Sequence, residues 1–478
     1  MNLITRASGP RSVAALLVLI AACGGGQAGP TTTPTPPVAG GAGDGAGSAD
    51  ATPGPARPAP GPTAEESLAW VLGVVDGAAV TEADLTARFT KEFLAQVPPA
   101  QFLAIAAELH QQLPPVKVLK KDGKAPLELE AILDTKAGGI RVKLAMTAAE
   151  PRKIHTLLFQ PASTEAPPKS YGEVVAQLQQ AGATPSFFIA EVNQKKGQCT
   201  SRQAFDAGKR LAIGSTTKLW VLLATEAKLA ASRGKLTWDS KLAIRDEAKS
   251  LPSGVLQDQP AGTELTVREF AHKMIGISDN TATDHLLAFA GREAVERAMK
   301  AAGHGAPALN TPFLSTRELF AVKLLATPEE LDGLRRTKGT ARRKMLEALG
   351  KRPMTLESVK DKIWTEPKLL EFEWFANGGD LCSAMASLGV AGKFDPKSEV
   401  LTALAQNPGM PIDRAVFPYV GFKGGSEPGV MNLTYLLQRA DGRWFVVVAT
   451  VNDPAKAVVE GTVVGAVGGA ISLLGAEK

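Results

Sequence analysis

Ser215-Thr216-Thr217-Lys218 sets a hydroxyl and an amine three positions apart, directly ahead of the apolar helical run Leu219–Lys228. A serine opening a buried helix lies where free N–H groups and the helix dipole favour negative charge, and a residue three positions on shares its face about one turn away. The pair therefore sets an amine against a hydroxyl, as a general base stands against a nucleophile. An amine serves as base only when unprotonated, a state that burial and a second cation promote. Ser232-Arg233-Gly234-Lys235 repeats the spacing, but Gly234 marks a helix end and no buried run follows. Context selects Ser215.

Sixty-three positions later (278 − 215) comes Ser278-Asp279-Asn280, followed by Thr281-Ala282-Thr283-Asp284-His285. Ser278 and Asn280 flank one residue, so a loop can point both into one cleft while Asp279 turns back on the backbone. Phe422-Lys423-Gly424-Gly425-Ser426 stands just before a closing hairpin. On an edge strand Lys423 can face the cleft, and the glycines leave room for a substrate against the backbone. Lys-x-Gly triplets also begin at Lys121, Lys136 and Lys195, so this element has meaning only in company.

Taken in order, the three elements resemble the Ser-x-x-Lys, Ser-Asp-Asn and Lys-Thr-Gly set of class A β-lactamases and penicillin-binding proteins. The resemblance runs over Tyr171–Leu474, with Ser250-Leu251-Pro252-Ser253-Gly254, Gly262–Phe270 and Thr311–Glu318 similar to the superfamily's connecting segments. It implies an α+β fold: a β-lactamase/transpeptidase-like antiparallel sheet flanked by helices, with an all-helical lobe carrying Ser278. It also implies a serine hydrolase forming an acyl-enzyme on a β-lactam, ester or amide. A D-alanyl-D-alanine peptidase, or a sensor lipoprotein that binds β-lactams or cell-wall fragments without turnover, are the alternatives. By resemblance Ser215 is the nucleophile, Lys218 its base and Ser278 a proton relay. Lys423 positions a substrate carboxylate, and Asn280, Gly424, Gly425 and Ser426 bind substrate, with the N–H groups of Ser215 and Ser426 as the oxyanion hole.

The chain departs from that pattern in two places. Gly424 stands where a threonine or serine is usual, removing a hydroxyl that would help hold a carboxylate. No Glu-x-x-Leu-Asn loop follows Ser278, since Gly303–Asn310 contains no acidic residue. Glu318, the nearest carboxylate, reads as helical surface or a structural pair. Acylation is then expected to outrun hydrolysis of a lactam adduct.

The elements that hold these residues are legible in outline. Residues 64–162 read as a small α+β domain, with helices over Glu65–Val75, Glu82–Gln96 and Phe102–Gln112. Strands follow near 127–133, 140–144 and 154–159, similar in outline to the cone-shaped fold of ketosteroid isomerase relatives. His110 and His155 read as packing there. Residues 163–169, with Pro167-Pro168, form a linker, and 170–478 the hydrolase-like domain. That domain shows a helix at Tyr171–Gln180, a strand at Ser186–Val192, and strands Thr434–Arg439 and Trp444–Val451 joined by Asp441-Gly442. Ala457–Leu474, interrupted by Glu460 and glycines, reads as a helix lying on a sheet rather than a membrane span. The 145 positions between Ser278 and Lys423 (423 − 278) include the cation-rich Arg335–Arg352. That run reads as a solvated helical insertion, with contact to anionic envelope polymer or lipid as the alternative.

At the beginning, Arg6 and Arg11, the apolar run Val13–Ile20 and Ile20-Ala21-Ala22-Cys23 resemble a bacterial lipoprotein signal. Residues 1–22 would be removed and Cys23 lipidated, anchoring an exported protein in the cell envelope through a flexible Gly/Pro/Ala/Thr-rich tether, residues 23–63. Cys199 and Cys382 then remain as two free thiols or a disulfide. With 53 basic and 48 acidic residues the formal charge is only +5, too little to argue for nucleic acid. Three cysteines without a Cys-x-x-Cys pair and five scattered histidines leave no metal motif, so no metal or cofactor is expected. The expected partner is a small-molecule or peptidoglycan-derived acyl substrate.

Overall fold

The computed structural model describes residues 61–477 apart from 252, 360, 361 and 363. Cys23 and the signal and tether expectations lie outside the described residues, apart from residues 61–63 of the tether. The described chain forms two compact units, one of residues 61–131 and 141–159, the other of residues 132–140 and 160–477.

The N-terminal helices are α1 (Ala64–Val75), α2 (Glu82–Arg88), α3 (Lys91–Gln96) and α4 (Pro99–Gln112). A sheet in the order β1 (Val116–Lys124), β2 (Glu128–Thr135), β3 (Gly138–Met146), β4 (Ile154–Pro161) follows. One helix was expected over Glu82–Gln96; there are two. Phe89 is extended and bridges to Ile154, and the Thr90 hydroxyl accepts from the Phe93 N–H to cap α3. The edge strand β1 was not anticipated. Its Leu119–Lys124 stretch is solvent-exposed throughout, so no apolar alternation marks it.

The larger unit opens with α5 (Tyr171–Ala181), β5 (Thr184–Asn193), β6 (Gln198–Phe205) and the two-residue β7 (Leu211–Ala212). The helical region follows: α6 (Lys218–Ala231), β8 (Lys241–Ala243), β9 (Glu264–Thr266), α7 (Val267–Gly276), α8 (Asn280–Ala290) and α9 (Arg292–Ala301). Next are α10 (Thr316–Leu325), α11 (Pro328–Arg336), α12 (Gly339–Gly350), α13 (Leu356–Val359), β10 (Phe375–Ala376), α14 (Gly378–Ala391) and α15 (Glu399–Leu404). The chain returns through β11 (Tyr419–Glu427), β12 (Val430–Gln438) and β13 (Trp444–Asn452) to α16 (Glu460–Ala476).

β11-β12-β13-β5-β6 form one antiparallel sheet, buried on both faces except along its largely exposed edge strand β6. The two-residue period splits its side chains. Phe188, Ala190, Leu436, Val446 and Val448 face the helical core with Trp220, Phe270 and Leu381. Phe187, Ile189, Tyr435, Phe445 and Val447 face α5 and α16, through Val174, Leu178, Val463 and Val467. Thus α16 lies on the sheet, and among the described residues no helix is long and apolar enough to cross a membrane. The cation-rich stretch is largely helical, and three of its eight cations are paired with carboxylates: Arg335 with Asp332 and Glu371, Arg343 with Glu293 and Glu347, Arg352 with Glu330. Cys199 on β6 and Cys382 on α14 are joined by a disulfide.

Candidate active site

Ser215 lies in a 3₁₀ turn, Gly214–Thr217, that runs directly into α6, so Lys218 is the first α-helical residue. Two anchors hold this turn over the sheet. Ahead of it, Ile213 N donates to Trp374 O at 3.0 Å, and the Asn452 side chain exchanges two hydrogen bonds with the Ala212 backbone. Within it, the Thr216 hydroxyl donates to Asn432 Oδ1 at 2.8 Å, and Asn432 donates in turn to Thr450.

Lys423 pairs in register with Thr434, on the sheet face that meets the helical core. Gly425 and Glu427 follow on the same face. An added Cβ at Gly425 would stand 2.1 Å from Ile213 O and 2.6 Å from Ser215 N. The glycine is thus required by the approach of two backbones, and not only by space for a substrate. That approach brings Ser426 N close to the same turn, with an added Cβ on Gly214 standing 3.3 Å from it. At Gly424, by contrast, a Cβ would meet the Phe422 ring at 2.8 Å and Asn432 O at 3.2 Å. A threonine there requires Phe422 to move.

Ser278 has a left-handed backbone, φ 57°, strained for a non-glycine residue. That turn aims both its carbonyl and its hydroxyl at one amine: Lys218 Nζ donates to Ser278 O at 2.6 Å, Ser278 Oγ at 2.9 Å and Asn280 Oδ1 at 2.8 Å. Lys423 Nζ donates to the same Ser278 Oγ at 3.1 Å. Two amines therefore converge on one hydroxyl, and both lysines are buried, at 0% and 3% exposure. Burial pushes the Lys218 amine down to about 7, against an opposing pull from Asp279 and Asp284. Burial, then the neighbouring Lys218, pushes Lys423 well below an ordinary lysine.

The hydrogen bonds of Lys218 run to the 278–280 loop, and among the described hydrogen bonds none joins Ser215 Oγ to Lys218. An unbranched four-carbon stem reaches past the preceding turn, and in a resting site catalytic contacts are commonly long. Glu318 resolves as a structural pair: it is 4% exposed and held by Arg292 at 2.6 Å.

Sequence reasoning passed over the supports. The Ser253 hydroxyl donates to Ser278 O at 2.7 Å, and Asp279 takes the N–H groups of Val255 and Leu256 while capping α8 through Ala282 N. Thr316 donates to Asn280 O, and Asp284 accepts from the N–H groups of Thr316 and Arg317, tying α10 to α8. Burial raises the Asp284 carboxyl to about 6. Ser253 sits in the quoted Ser250–Gly254 segment, and Thr316 in the Thr311–Glu318 segment, but nothing in either marks a contact with Ser278 or Asn280. Among the described residues no group of histidine, cysteine or carboxylate side chains is arranged to hold a metal ion.

Residues 171–355 match the family model described as the beta-lactamase enzyme family, a stretch that includes Ser215, Lys218, Ser278 and Asn280 and ends before Lys423. Residues 59–150 match the model described as ORF 12 gene product N-terminal. No curated protein matches the chain significantly. Similar solved structures include a β-lactamase from Sphaerobacter thermophilus DSM 20745, 21% identical, covering 64% of this chain and 97% of that one, with a TM-score of 0.43. A β-lactamase from Desulfarculus baarsii DSM 2075 is 19% identical over 65% of this chain and 100% of its own, TM-score 0.41. PBP-A is 16% identical over 65% and 99%, TM-score 0.40. Residues 171–355 are thus similar to the beta-lactamase enzyme family, and residues 59–150 to the ORF 12 N-terminal family.

Proposed function

We propose that the chain is a serine hydrolase that works through an acyl-enzyme on a β-lactam, ester or amide. The observation that carries this reading is the convergence on the Ser278 hydroxyl of two buried amines, one of them Lys218, which opens the helix directly after the turn of Ser215 and has its pKa brought to about 7. A neutral amine in that place accepts a proton at neutral pH. Ser215 Oγ attacks the acyl carbon while its proton passes to Lys218 Nζ. The oxyanion is received by the Ser215 and Ser426 N–H groups, and the Ser278 hydroxyl, recharged through the amines, hands a proton to the leaving nitrogen or oxygen. Lys423 supplies positive potential for a substrate carboxylate. Water then cleaves the ester to Ser215.

The second reading is a sensor that is acylated without turnover, or a D-alanyl-D-alanine peptidase. The absence of an acidic residue over Gly303–Asn310 and the engagement of Glu318 with Arg292 favour slow release of a lactam adduct. For location, the proposal is an exported lipoprotein anchored through Cys23, tested by labelling with radioactive fatty acid in wild type and Cys23→Ser.

Intact-protein mass spectrometry with penicillin and with an activated ester separates the readings. A transient adduct with released product supports hydrolysis, and a permanent adduct supports sensing. No adduct with either compound, in a protein whose Ser215→Ala variant behaves identically, overturns both.

A further inference from the structure

The two amides assigned to the oxyanion hole belong to segments far apart in sequence, the turn holding Ser215 and the strand holding Ser426. Hydrogen-bond donors aimed at a developing charge must be held at fixed spacing. A buried ionic cluster stands at the junction of the two segments and is used by no step of the chemistry above. Lys323 Nζ, on α10, donates to Glu373 Oε1 at 2.9 Å and to Glu427 Oε1. The three side chains are 0%, 1% and 10% exposed. Glu427 directly follows Ser426 on β11 and lies on the sheet face of Lys423 and Gly425. Glu373 directly precedes Trp374, whose carbonyl accepts from Ile213 N two residues ahead of Ser215, and β10 then pairs with β7. One ammonium thus grips the neighbour of each amide-bearing segment.

We propose that Lys323, Glu373 and Glu427 form a positioning clamp that sets the spacing between the Ser215 and Ser426 amides. The proposal rests on the acyl-transfer reading of Ser215. The clamp carries one ammonium and two carboxyls, so it is balanced when one carboxyl keeps a proton. Burial, then the charge of Glu373, raises Glu427 to about 8 against the pull of Lys323. The charged groups around it are Lys323 and Glu373, with Lys368 and Lys362 beyond Lys323 and Lys423 four positions back along β11. Below that pH the cluster is neutral; above it two carboxylates share one ammonium, repel each other, and the two segments loosen.

The test is acylation of Ser215 by an uncharged activated ester across the pH range, in wild type and Glu427→Gln, with the backbone amide resonances of Ser215 and Ser426 followed in parallel. In wild type the acylation rate falls above pH about 8, by up to about 10², the loss expected for donors displaced by an ångström, and both amides shift with that midpoint. In Glu427→Gln the neutral-pH rate persists while the alkaline fall and the matching amide transition disappear. Titration of Lys218 or Lys423 is untouched by the substitution, so an alkaline fall that survives in Glu427→Gln overturns the clamp. Should Glu427→Gln fail to fold, Glu373→Gln also removes the second carboxylate and must also abolish the transition. Should the ester not acylate wild type at all, the reading of Ser215 fails, and the amide titration alone decides: no shared transition near pH 8 overturns the clamp as well.

Discussion

Lys218 and Lys323 are both wholly buried amines in the larger unit, and the protein treats them in opposite ways. Lys218 meets a carbonyl, a hydroxyl and an amide oxygen, none of them charged, beside a second amine, and burial lowers it to about 7. For Lys323 burial pulls down too, but the carboxylates of Glu373 and Glu427 outweigh it and hold the amine above its ordinary range. Desolvation acts alike at both sites; the partners decide the outcome. An amine surrounded by neutral acceptors is poised to exchange a proton, whereas one between carboxylates is a fixed charge whose role is cohesion.

The largest expected effect belongs to the reacting hydroxyl: Ser215→Ala removes the acyl adduct and lowers turnover by about 10⁶, read by mass spectrometry and ester hydrolysis. The next experiment addresses the comparison itself. Lys218→Met abolishes acylation yet leaves the urea unfolding midpoint unchanged or higher, because it removes an unmatched buried amine. Lys323→Met lowers stability by about 3–5 kcal/mol, because it strands a buried carboxylate and leaves the protonated carboxyl beside it without its partner. If both variants lose stability equally, the contrast between the two sites is wrong.

Gly425→Ala drives a methyl into Ile213 O and Ser215 N and lowers acylation by about 10²–10³, the cost of a lost oxyanion donor. Gly424→Thr meets the movable Phe422 ring at 2.8 Å and Asn432 O at 3.2 Å, and changes the same rate by less than about tenfold. Equal losses would show that the backbone approach at Gly425 does not matter. The smallest expected effect is on pH dependence. Lys218 must be neutral to accept a proton and its pKa is lowered to about 7, so in Glu427→Gln, where the alkaline fall of the clamp is absent, the acylation rate climbs as pH rises toward that value and levels off above it. A rise centred near an ordinary lysine value would remove the burial argument.

The site was readable where chemistry and position coincide in a short motif: Ser215 with Lys218, Ser278 with Asn280, and Lys423 ahead of two glycines each lie within a few residues of one another. The supports were not readable, because Ser253, Asp284, Thr316, Lys323 and Glu373 act across long separations. Lys323 and Glu427 are 104 positions apart, and a lysine within a helical run looks the same whether it faces solvent or two carboxylates. In the smaller unit the same limit appears in β1, whose exposed, lysine-bearing edge carries no pattern, and at Phe89-Thr90, where a tertiary bridge to Ile154 ends a helix that local periodicity would continue.

From its sequence alone this protein determines which side chains are available for the proposed acyl transfer, their order along the chain, and the two-residue and helical periods that build the sheet and its covering helices. These are local properties, set by covalent spacing and by the burial of one face of each element. The tertiary structure decides that Lys218 donates to Ser278 and Asn280. It also decides that Gly425 serves a contact between two backbones, and that one buried lysine loses its charge readily while another keeps it. Each of those outcomes depends on desolvation and on partners brought together from distant segments, and the energy of a charge is set by what surrounds it in space.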